Sequence, residues 1–548
     1  MSETATLTQR DTRDVPASLF AAALPYESAL FSWPMSMEEV EALKDAIERG
    51  LIRVLEECRE PDLRTAAIVV LKWLLVEYLS LAQGCGLIAR TRERGQRLVL
   101  SDEYPMLRGL AERGVPYGDG VAPLHLKRGR RTGPGTRIER IIRRVGRQAQ
   151  WGGLRGMLTR RIDGPETVCV LAPNDLLRAE LASRARAVYC LGPEALMTQA
   201  RGEDPPKVTE LGERLASMLA EVLSARGWKA GTPLREYVRA LTERLLEQAA
   251  RDLMNVTRRW ERTWPRELWT GSGGHYWVRI ARAVTRAQGG SVTGFDHGGS
   301  SAWALHQTRT LYYMDGLWAD EFVAYTDAAA SLYQRDAAEW PLGLRPPVVR
   351  GPAPGSRHPL RSLIMRERAR AKPDRVRTVM YVPTVFRGEK QVNNLLLLDD
   401  MAYLDWQARL VGALCGAGFR VICKPHPEGL LKGRPLRYID QCEFRYDAFE
   451  SAWNDADAFV FDYLATTAFA HALCTRKPVV WVDHGRHPWH QDARALAARR
   501  CTIVPAAFDQ NNRLQADFDR LAASLHGPVT EPDRALADSL LMNGARDV

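Results

Sequence analysis

The chain has 548 residues, which is more than one hydrophobic core usually organises, so we expect at least two domains. Hydrophobic residues make up 45% of the sequence and charged residues 26%, a composition typical of soluble globular proteins and unlike that of disordered ones. The formal net charge of +10 at pH 7 favours an acidic partner. Nine cysteines are scattered without a Cys-x-x-Cys pair, which argues against a disulfide framework or a zinc knuckle and fits a reducing cytoplasm.

The N-terminal part of the sequence is predicted to be helical. Its polar start, MSETATLTQRDTRDVP, lacks the apolar core of a signal peptide, so we expect a cytoplasmic protein. Ser36 and Glu39 form a capping-box pattern, and apolar residues follow it at helical spacing. The apolar run at 66–89 carries Lys72 and Glu77 in its middle. Charges there are costly in a bilayer, so the run predicts a buried helix.

The positive charge is concentrated at 127–161, where twelve Lys or Arg residues accompany a single acid, Glu139. Three interpretations are open: a nucleic-acid face, a patch for anionic lipid or glycan, and a solvated surface. No helix-turn-helix, zinc-finger or RNP-type motif accompanies the arginines, so we expect no nucleic-acid partner. The segment 137–148 has an apolar stripe flanked by arginines, which is compatible with peripheral binding to an anionic inner membrane.

From about residue 166, short apolar strands alternate with helices, which predicts parallel βαβ units. A Pro- and Arg-rich segment at 345–375 shows little strand pattern and predicts a linker, after which a second strand–helix series begins. The expected fold class is therefore α/β, with two successive open α/β units and an N-terminal helical extension. The predicted boundaries are 1–160 for the helical and basic region, 161–345 for the first α/β domain, 346–375 for the linker and 376–548 for the second α/β domain.

Three motifs fall at predicted strand ends, where open parallel sheets bind ligands. The first is VICKPHPEG (421–429), where two prolines restrict the backbone around His426 and Lys424 stands at the exit of a buried strand. A cation and an oriented imidazole suit an anionic substrate group. The alternative is a Pro-rich strand exit whose histidine caps a backbone group.

The second motif is AFVFDYLATTAFAHAL (458–473), in which a strand ends at Asp462 and a helix begins near Thr466 and Thr467. Free N–H groups and hydroxyls at a helix start suit a phosphate. The alternative is that Thr466 simply caps the helix. The sequence has no P-loop motif here and no Gly-x-Gly-x-x-Gly after a strand, so neither a P-loop nor a dinucleotide fold is supported.

The third motif is SVTGFDHGGSSAW (291–303), in which a strand leads into Asp296 and His297. An ordinary histidine pKa lies near neutrality, so His297 is a candidate general base, and Asp296 would orient or charge-stabilise its ring. The alternative is a structural turn with a surface histidine. The residues expected to line the acceptor side of this cleft have small side chains: Ser272, Gly273, Gly298 and Gly299.

The order of these motifs resembles that in GT-B fold transferases of bacterial surface-glycan assembly that use cytidine-activated donors. The CDP-glycerol glycerophosphotransferases of teichoic acid synthesis carry His-Gly, Arg-x-His-Pro and Asp-Tyr-Ser-Ser in the same order. Bacterial sialyltransferases and Kdo transferases also use a His-Pro motif and a downstream Ser/Thr pair. Residues 266–305 and 376–485 further resemble surface-carbohydrate biosynthesis transferases with Gln-His-Gly-Gly and Asp-Tyr-x-x-Thr-Thr segments.

This resemblance implies that Lys424, His426 and the threonine pair bind the donor phosphate, and that His297 acts in the acceptor half or as the base. Lys424 stands where the glycerophosphotransferases have arginine, so it lacks the bidentate fork. Asp296 stands where the most similar group has glutamine, and it could itself be the base while His297 contacts the substrate. The other donor-side candidates lie on exit loops of the same predicted sheet: Pro427, Glu428, Asp462 and Arg387.

The resemblance further implies a GT-B-like fold, in which two Rossmann-like domains face a cleft. The domain at 161–345 would be the acceptor domain and the domain at 376–548 the nucleotide-donor domain. We therefore expect a metal-independent glycosyltransferase. It would transfer a sugar, of nonulosonic acid or Kdo type, from a CMP-activated donor to a surface-glycan, lipid-linked or protein acceptor. No metal or cofactor is expected besides the donor substrate, because the Asp-x-Asp at 455–457 precedes a strand instead of ending one. The alternatives are a CDP-polyol phosphotransferase of teichoic-acid type, a GT-B-shaped sugar-nucleotide epimerase, and a non-catalytic glycan- or nucleic-acid-binding protein.

Overall fold

The computed structural model describes residues 14–17, 31–117, 167–183, 187–197, 206–299, 301–305, 315–335, 340–354, 356, 361–390, 398–426, 439–464, 466–486 and 488–542. The basic segment 127–161 lies outside the described residues. The helices are α1 (Met37–Glu56), α2 (Pro61–Glu93), α3 (Pro105–Arg113), α4 (Asp175–Ala182), α5 (Pro193–Leu196), α6 (Thr209–Ser224), α7 (Thr232–Trp260), α8 (Tyr276–Ala287), α9 (Asp327–Arg335), α10 (Arg361–Ala369), α11 (Asp400–Gly416), α12 (Phe449–Ala452), α13 (Thr467–Leu473), α14 (Gln491–Arg500), α15 (Phe518–His526) and α16 (Ala535–Leu540).

The strands form two large sheets and one small pair. They are β1 (Asp14–Pro16), β2 (Arg97–Val99), β3 (Thr167–Leu171), β4 (Ala187–Cys190), β5 (Glu267–Thr270), β6 (Ser291–Phe295), β7 (Glu321–Val323), β8 (Val348–Arg350), β9 (Thr378–Val382), β10 (Arg420–Cys423), β11 (Glu443–Phe444), β12 (Ala458–Phe461), β13 (Val479–Asp483), β14 (Thr502–Phe508) and β15 (Leu514–Ala516). The chain is thus a mixed α/β protein, with β1 and β2 forming the small parallel pair.

The first sheet has six strands in the order β4-β3-β5-β6-β7-β8, and all neighbours are parallel. Successive β3 residues pack on opposite faces: Cys169 belongs to one hydrophobic core, whereas Val168 and Val170 belong to a second core. A sheet buried on both faces needs continuous apolar strands, which is why β3 reads TVCVL. The strand order reverses between β3 and β5.

The second sheet has the order β11-β10-β9-β12-β13-β14-β15, and only β15 is antiparallel to its neighbour. The same two cores continue through it, because Val379 and Tyr381 pack on one face and Met380 on the other. Its strand order reverses between β9 and β12. Both sheets are therefore open, parallel and covered on both sides, with a reversal point at which a crevice forms beyond the strand ends.

The N-terminal helices pack as a layer in which α2 contacts α1, α7 and α8. The predicted capping box is confirmed: the Ser36 hydroxyl accepts from the Glu39 amide at 3.1 Å, and the Glu39 carboxylate accepts from the Ser36 amide at 2.9 Å. Among the described residues, only α2 is long and apolar enough to cross a membrane, and 72% of its most apolar window is buried within the protein. This confirms the predicted buried helix at 66–89.

The carboxyl ends of the two sheets meet. After β6, Ala304 forms a β-bridge with Trp489, which follows β13, and the Trp303 carbonyl accepts from the His490 amide at 2.9 Å. The Trp303 ring lies 5.7 Å from that of Trp489. Near the C-terminus, α16 returns to pack on α9 of the first sheet. These contacts hold the two strand-exit edges against one another.

The helical layer also binds the second sheet. The Trp33 indole donates to Asp399 at 2.8 Å, and the Tyr104 hydroxyl donates to Asp400 at 2.9 Å. Both acids lie at the start of α11. The described part of the N-terminal region is therefore attached to the second sheet.

The predicted linker at 346–375 differs from the structure at its start. Val348–Arg350 forms β8, the edge strand of the first sheet, and pairs with β7. The strand was missed because it is only three residues long, is preceded by two prolines and has just one buried residue, Val349. An edge strand with a single paired side tolerates such a sequence.

The close approach of α2 to its neighbours gives a packing test. A Cβ added at Gly86 would lie 2.5 Å from the Trp228 ring, whereas one added at Gly412 in α11 would meet its nearest neighbour at 3.8 Å. We expect Gly86→Ala to lower the melting temperature because overpacking costs about 1–3 kcal/mol and exceeds the helix-propensity gain of about 1 kcal/mol. Gly412→Ala should leave the melting temperature unchanged or raise it. Differential scanning fluorimetry measures both, and equal shifts would contradict the packing.

Candidate functional site

In the first sheet, the exits of three strands are joined at the reversal point. Asn174, just after β3, donates from its side chain to the carbonyls of Gly271 at 2.7 Å and Asp296 at 3.0 Å. A Cβ at Gly271 would lie 2.4 Å from the Asn174 amide, so this close approach requires glycine. Ala172 has a φ of 47°, a conformation that is costly for a residue with a side chain and that clusters at functional sites.

The His297 ring is oriented by Asp315, a residue that the sequence interpretation did not select. His297 Nδ1 lies 2.9 Å from an oxygen of Asp315, and the other oxygen of this buried carboxylate accepts from the Gly273 amide at 2.8 Å. Behind it, the buried Arg282 donates to the Asp315 carbonyl. The predicted cleft residue Gly273 therefore contributes a backbone donor, while its neighbour Ser272 is half-buried.

The His297 side chain is partly exposed, although protein atoms surround its ring. Its side chain retains 47% of its accessible surface, yet surrounding protein desolvates the ring, which is the environment of a cleft. The Asp315 charge dominates and raises the pKa of His297 to about 9. The imidazole is therefore protonated at neutral pH, which differs from the near-neutral pKa expected for a general base.

Asp296 stabilises its own turn. One of its carboxylate oxygens accepts from the amides of Gly298 at 3.0 Å and Gly299 at 3.2 Å, and the other accepts from the Tyr333 hydroxyl at 3.2 Å. It is buried, and this burial raises its pKa. The hydrogen bond to the His297 ring is made by Asp315, so the orienting role expected of Asp296 falls to Asp315. Gly299 has a φ of 70°, a backbone conformation that favours glycine.

In the second sheet, a small, partly open cavity lies at the reversal point between β9 and β12. Side chains from the exits of β9, β12 and β13 and from α11 line it: Thr384, Tyr403, Asp462, Tyr463, His484 and Arg486. Met37, at the start of α1, covers part of the cavity. The cavity is aromatic and polar, as ligand sites at such crevices commonly are.

The predicted donor residue Asp462 organises this cavity. Its buried carboxylate accepts from the Tyr381 hydroxyl, from the Tyr403 hydroxyl at 3.0 Å and from the Trp406 indole at 2.9 Å. Burial raises the pKa of Asp462 to about 6 despite these donors. Three donors from two elements fix the carboxylate, so Asp462 positions the aromatic walls around the cavity.

His484 and Arg486 also line the cavity, and sequence reasoning missed both. The sequence contained a repeated tripeptide that could have indicated them. Asp483-His484-Gly485 stands at the end of β13, and Asp296-His297-Gly298 stands directly after β6. In each sheet this tripeptide leaves the second strand beyond the reversal point. The Asp483 carboxylate accepts from the Gly485 amide at 2.9 Å, so both aspartates stabilise their turns in the same way.

The environment of His484 is opposite to that of His297. Its Nε2 donates to the Asp462 carbonyl at 3.0 Å, which places the lone pair of the neutral ring on Nδ1. Burial lowers the pKa of His484 to about 4, so the ring is neutral at physiological pH. Arg486 is 12% exposed and pairs with Glu38 and Glu41 of α1.

The loop after β10 places Lys424 and His426 differently. Lys424 is buried, its ammonium donates to the Pro425 carbonyl at 3.1 Å, and burial lowers its pKa. His426 is exposed. Glu450 of α12 contacts His471 of α13 and interacts electrostatically with Lys424, so the β10 exit lies beside α13. Pro427 and Glu428 lie outside the described residues.

Thr466 and Thr467 lie at the start of α13. The Thr466 hydroxyl accepts from the Ala468 amide at 3.3 Å, so it occupies the capping position considered as the alternative to phosphate binding. Thr467 is half-buried. Lys424 and the threonine pair follow β10 and β12, which flank β9, so they leave the sheet roughly 10 Å apart.

Arg387 lies away from the cavity at the reversal point. Its side chain is 5% exposed and pairs with Asp399, and its amide donates to Asp400 at 2.8 Å. It lines a second, partly open cavity between α2, α3 and the loop after β9. These contacts hold Arg387 at the start of α11, which differs from the donor-side position that the sequence predicted.

In the described part of the chain, no group of three His, Cys, Asp or Glu side chains is arranged to hold a metal ion.

No protein-family model matches the sequence, and no curated protein matches it. A solved structure of the wall teichoic acid polymerase TagF, carrying a histidine-to-alanine substitution, matches with a TM-score of 0.31 and 8% sequence identity. The match covers 74% of this chain and 92% of the TagF chain. A similarity at this level carries no argument about function, so the site is interpreted from its own geometry.

The pairing with Asp315 gives a titration test. We expect Asp315→Asn to lower the pKa of His297 from about 9 toward the ordinary value of about 6.5, because the largest cause that raises it is removed. Histidine labelled with ¹³C at Cε1 reports the pKa by NMR, with His297→Gln to assign the signal. Asp492→Asn, in a surface pair with Arg335, is the control and should leave the titration unchanged. An unaltered pKa in Asp315→Asn would contradict the pairing.

The histidine of the second tripeptide, Asp483-His484-Gly485, is predicted to behave in the opposite way in the same spectra. We expect the His484 signal, assigned with His484→Gln, to stay constant between pH 5 and pH 9, since burial lowers its pKa to about 4. A titration midpoint above about 6 would show that the ring is solvated and that this cavity is not formed as described.

Proposed function

We propose that the protein is a transferase of GT-B-like architecture that moves a group from a nucleotide-activated donor to an acceptor bound in the cleft between the sheets. The observation that carries the proposal is the juxtaposition of two strand-exit edges, each presenting an Asp-His-Gly turn. One edge offers a protonated imidazole held by Asp315, and the other offers a cavity with aromatic walls and an arginine. Two facing sites of different character suit a reaction that joins two substrates.

The donor would bind at the cavity in the second sheet and extend from it along the strand-exit edge. Tyr403 and Tyr463 offer aromatic surface for a base or ribose, and Arg486 offers a guanidinium for a phosphate. Lys424 and the threonine pair leave the same edge and would contact the distal phosphate or the transferred group. Glu38 and Glu41 form ion pairs with Arg486, so an entering phosphate would replace these carboxylates.

The acceptor would lie against His297, with Gly273, Gly298 and Gly299 allowing close approach of the backbone. Since His297 is protonated at neutral pH, it would stabilise negative charge on the departing nucleotide or donate a proton. Asp296 is engaged by its own turn and by Tyr333, so it is a poor candidate for the base. Catalysis would rest on positioning and on fixed charge.

The identity of the donor and of the acceptor is proposed from the motif resemblance. We propose a CMP-activated sugar of nonulosonic acid or Kdo type as the donor, and a surface-glycan, lipid-linked or protein acceptor. The alternative, a CDP-polyol phosphotransferase, would use the same donor cavity and acceptor side. Peripheral membrane association through 127–161 and a cytoplasmic location belong to the same proposal.

Nucleotide binding tests the donor site. We expect CMP or CDP, but not UDP or GDP, to raise the melting temperature, by an amount equivalent to about 2.7 kcal/mol at a hundredfold excess over Kd. Arg486→Gln should abolish the shift, and Glu38→Gln should enlarge it because a competing carboxylate is removed. Arg335→Gln, a surface arginine paired with Asp492, is the control. Stabilisation by UDP or GDP would redirect the donor class, and no stabilisation by any nucleotide would overturn the proposal.

Release of free nucleotide that depends on an added glycan acceptor separates a transferase from an epimerase. In the transferase, His297→Gln should lose release while keeping the nucleotide-induced thermal shift. If the imidazolium acts, the rate should fall as pH rises through about 9, whereas a general base would give a rate that rises toward that pH.

A further inference from the structure

The connection between α7 and β5 carries a dense group of arginines. Two acids lie in the same stretch, 251–266, but Asp252 is buried and accepts from the Tyr276 hydroxyl at 2.8 Å, so Glu261 is the exposed acid. Five exposed arginines accompany it and form the basic corner: Arg251, Arg258, Arg259, Arg262 and Arg266. The corner therefore carries an excess of positive charge.

Most of the basic corner is unpaired. Several other exposed arginines have acidic partners, as Arg335 has in Asp492 and Arg53 has in Glu221. Within the described ranges, no ion pair or hydrogen bond engages the guanidinium groups of four members of the corner: Arg251, Arg259, Arg262 and Arg266. Their charges are therefore available to a partner outside the chain.

The basic corner lies at the amino edge of the first sheet. Helix α7 ends at Trp260, and Arg266 directly precedes β5. The Arg266 carbonyl accepts at 2.8 Å from the amide of Ser291, the first residue of β6. His297 follows the opposite, carboxyl end of β6. A strand of this length spans about 17 Å, so a partner at the corner leaves the candidate site accessible.

A tryptophan accompanies the arginines. Trp260 is half-buried, and its ring lies 5.6 Å from the Arg259 guanidinium and 6.0 Å from the Trp264 ring. Tryptophan rings concentrate at the headgroup level of membranes, and basic residues beside them are attracted to anionic lipids. A nucleic-acid surface would combine such charges with a recognition motif, and the sequence shows no helix-turn-helix, zinc-finger or RNP-type motif.

We propose that the basic corner binds an anionic lipid bilayer. The unpaired guanidinium groups would donate to headgroup phosphates, and the Trp260 ring would lie at the level of the headgroups. This surface is separate from the segment 127–161 and does not depend on the proposed donor or acceptor. A protein held in this way keeps the amino edge of its first sheet on the bilayer and the strand-exit edge away from it.

Cosedimentation of the full-length protein with vesicles at low ionic strength tests this surface. We expect binding to vesicles of phosphatidylcholine with phosphatidylglycerol, and little binding to phosphatidylcholine alone. Arg259→Gln combined with Arg262→Gln should lower the partition constant about 25-fold, because each basic residue near an anionic surface contributes about fivefold. The control, Arg53→Gln combined with Arg335→Gln, removes the same charge from two paired arginines and should change the partition constant less than about threefold.

Equal losses in the two double variants would show that only net charge matters and would overturn the proposal. Absent binding to the anionic vesicles, equal binding to both kinds of vesicle, or stronger binding of duplex DNA under the same conditions would also overturn it. The melting temperature of the variant with Arg259→Gln and Arg262→Gln should match that of the unsubstituted protein, since neither side chain makes an ion pair within the described ranges. Its nucleotide-induced thermal shift should persist, so this result is independent of the nucleotide test.

Discussion

The parallel arrangement of the strands determines where the candidate site lies, because each parallel strand delivers its following loop to the same edge of its sheet. In two separate sheets the chain places histidine, aspartate and glycine at that edge, and the contact between Ala304 and Trp489 then brings the two edges together. The two-substrate site that we propose needs both edges. It therefore depends on how the sheets are held, and α2 contributes to this because it contacts α8 at Val69 and the loop after β9 at Glu77.

The two Asp-His-Gly turns show how environment sets the chemistry of identical residues. Both aspartates accept a hydrogen bond from the amide of the glycine two residues later. The histidines differ because His297 faces a buried carboxylate, whereas His484 faces a backbone carbonyl. The Asp315 charge raises the pKa of His297 above neutrality, whereas burial outweighs the Asp483 charge and lowers the pKa of His484. One strand-exit edge thereby carries a cationic imidazole and the other a neutral one.

Local pattern was sufficient to predict much of the fold. The capping box at Ser36, the buried helix at 66–89 and the strand that ends at Phe295 follow from spacing alone, because apolar periodicity reports which face is buried. The edge strand β8 was missed because three residues with one buried side chain leave almost no periodic signal.

The candidate site was less predictable, since it depends on tertiary partners. Asp315 occurs in an unremarkable Met-Asp-Gly sequence, and only the fold brings it to His297. Sequence also selected Arg387 as a phosphate contact, but Asp399 pairs with it and α2 and α3 enclose it. A charged side chain in a loop can contact a ligand only if no other element of the fold already pairs with it. His484 is different, because the repeated tripeptide could have been found.

Two charged residues in the middle of α2 show how a buried helix carries charge. A helix enclosed by protein on every side is most stable when it is apolar throughout, and burying a charge costs several kcal/mol unless it is paired. Helix α2 follows this rule over most of its 33 residues, yet Lys72 and Glu77 are half-buried in its middle. Glu77 pairs with Lys390 on the loop after β9, which offsets the cost of burying it and attaches the helix to the second sheet. The Lys72 ammonium lies 5.8 Å from the centre of the Trp73 ring, so its charge contacts an aromatic face and not an apolar side chain.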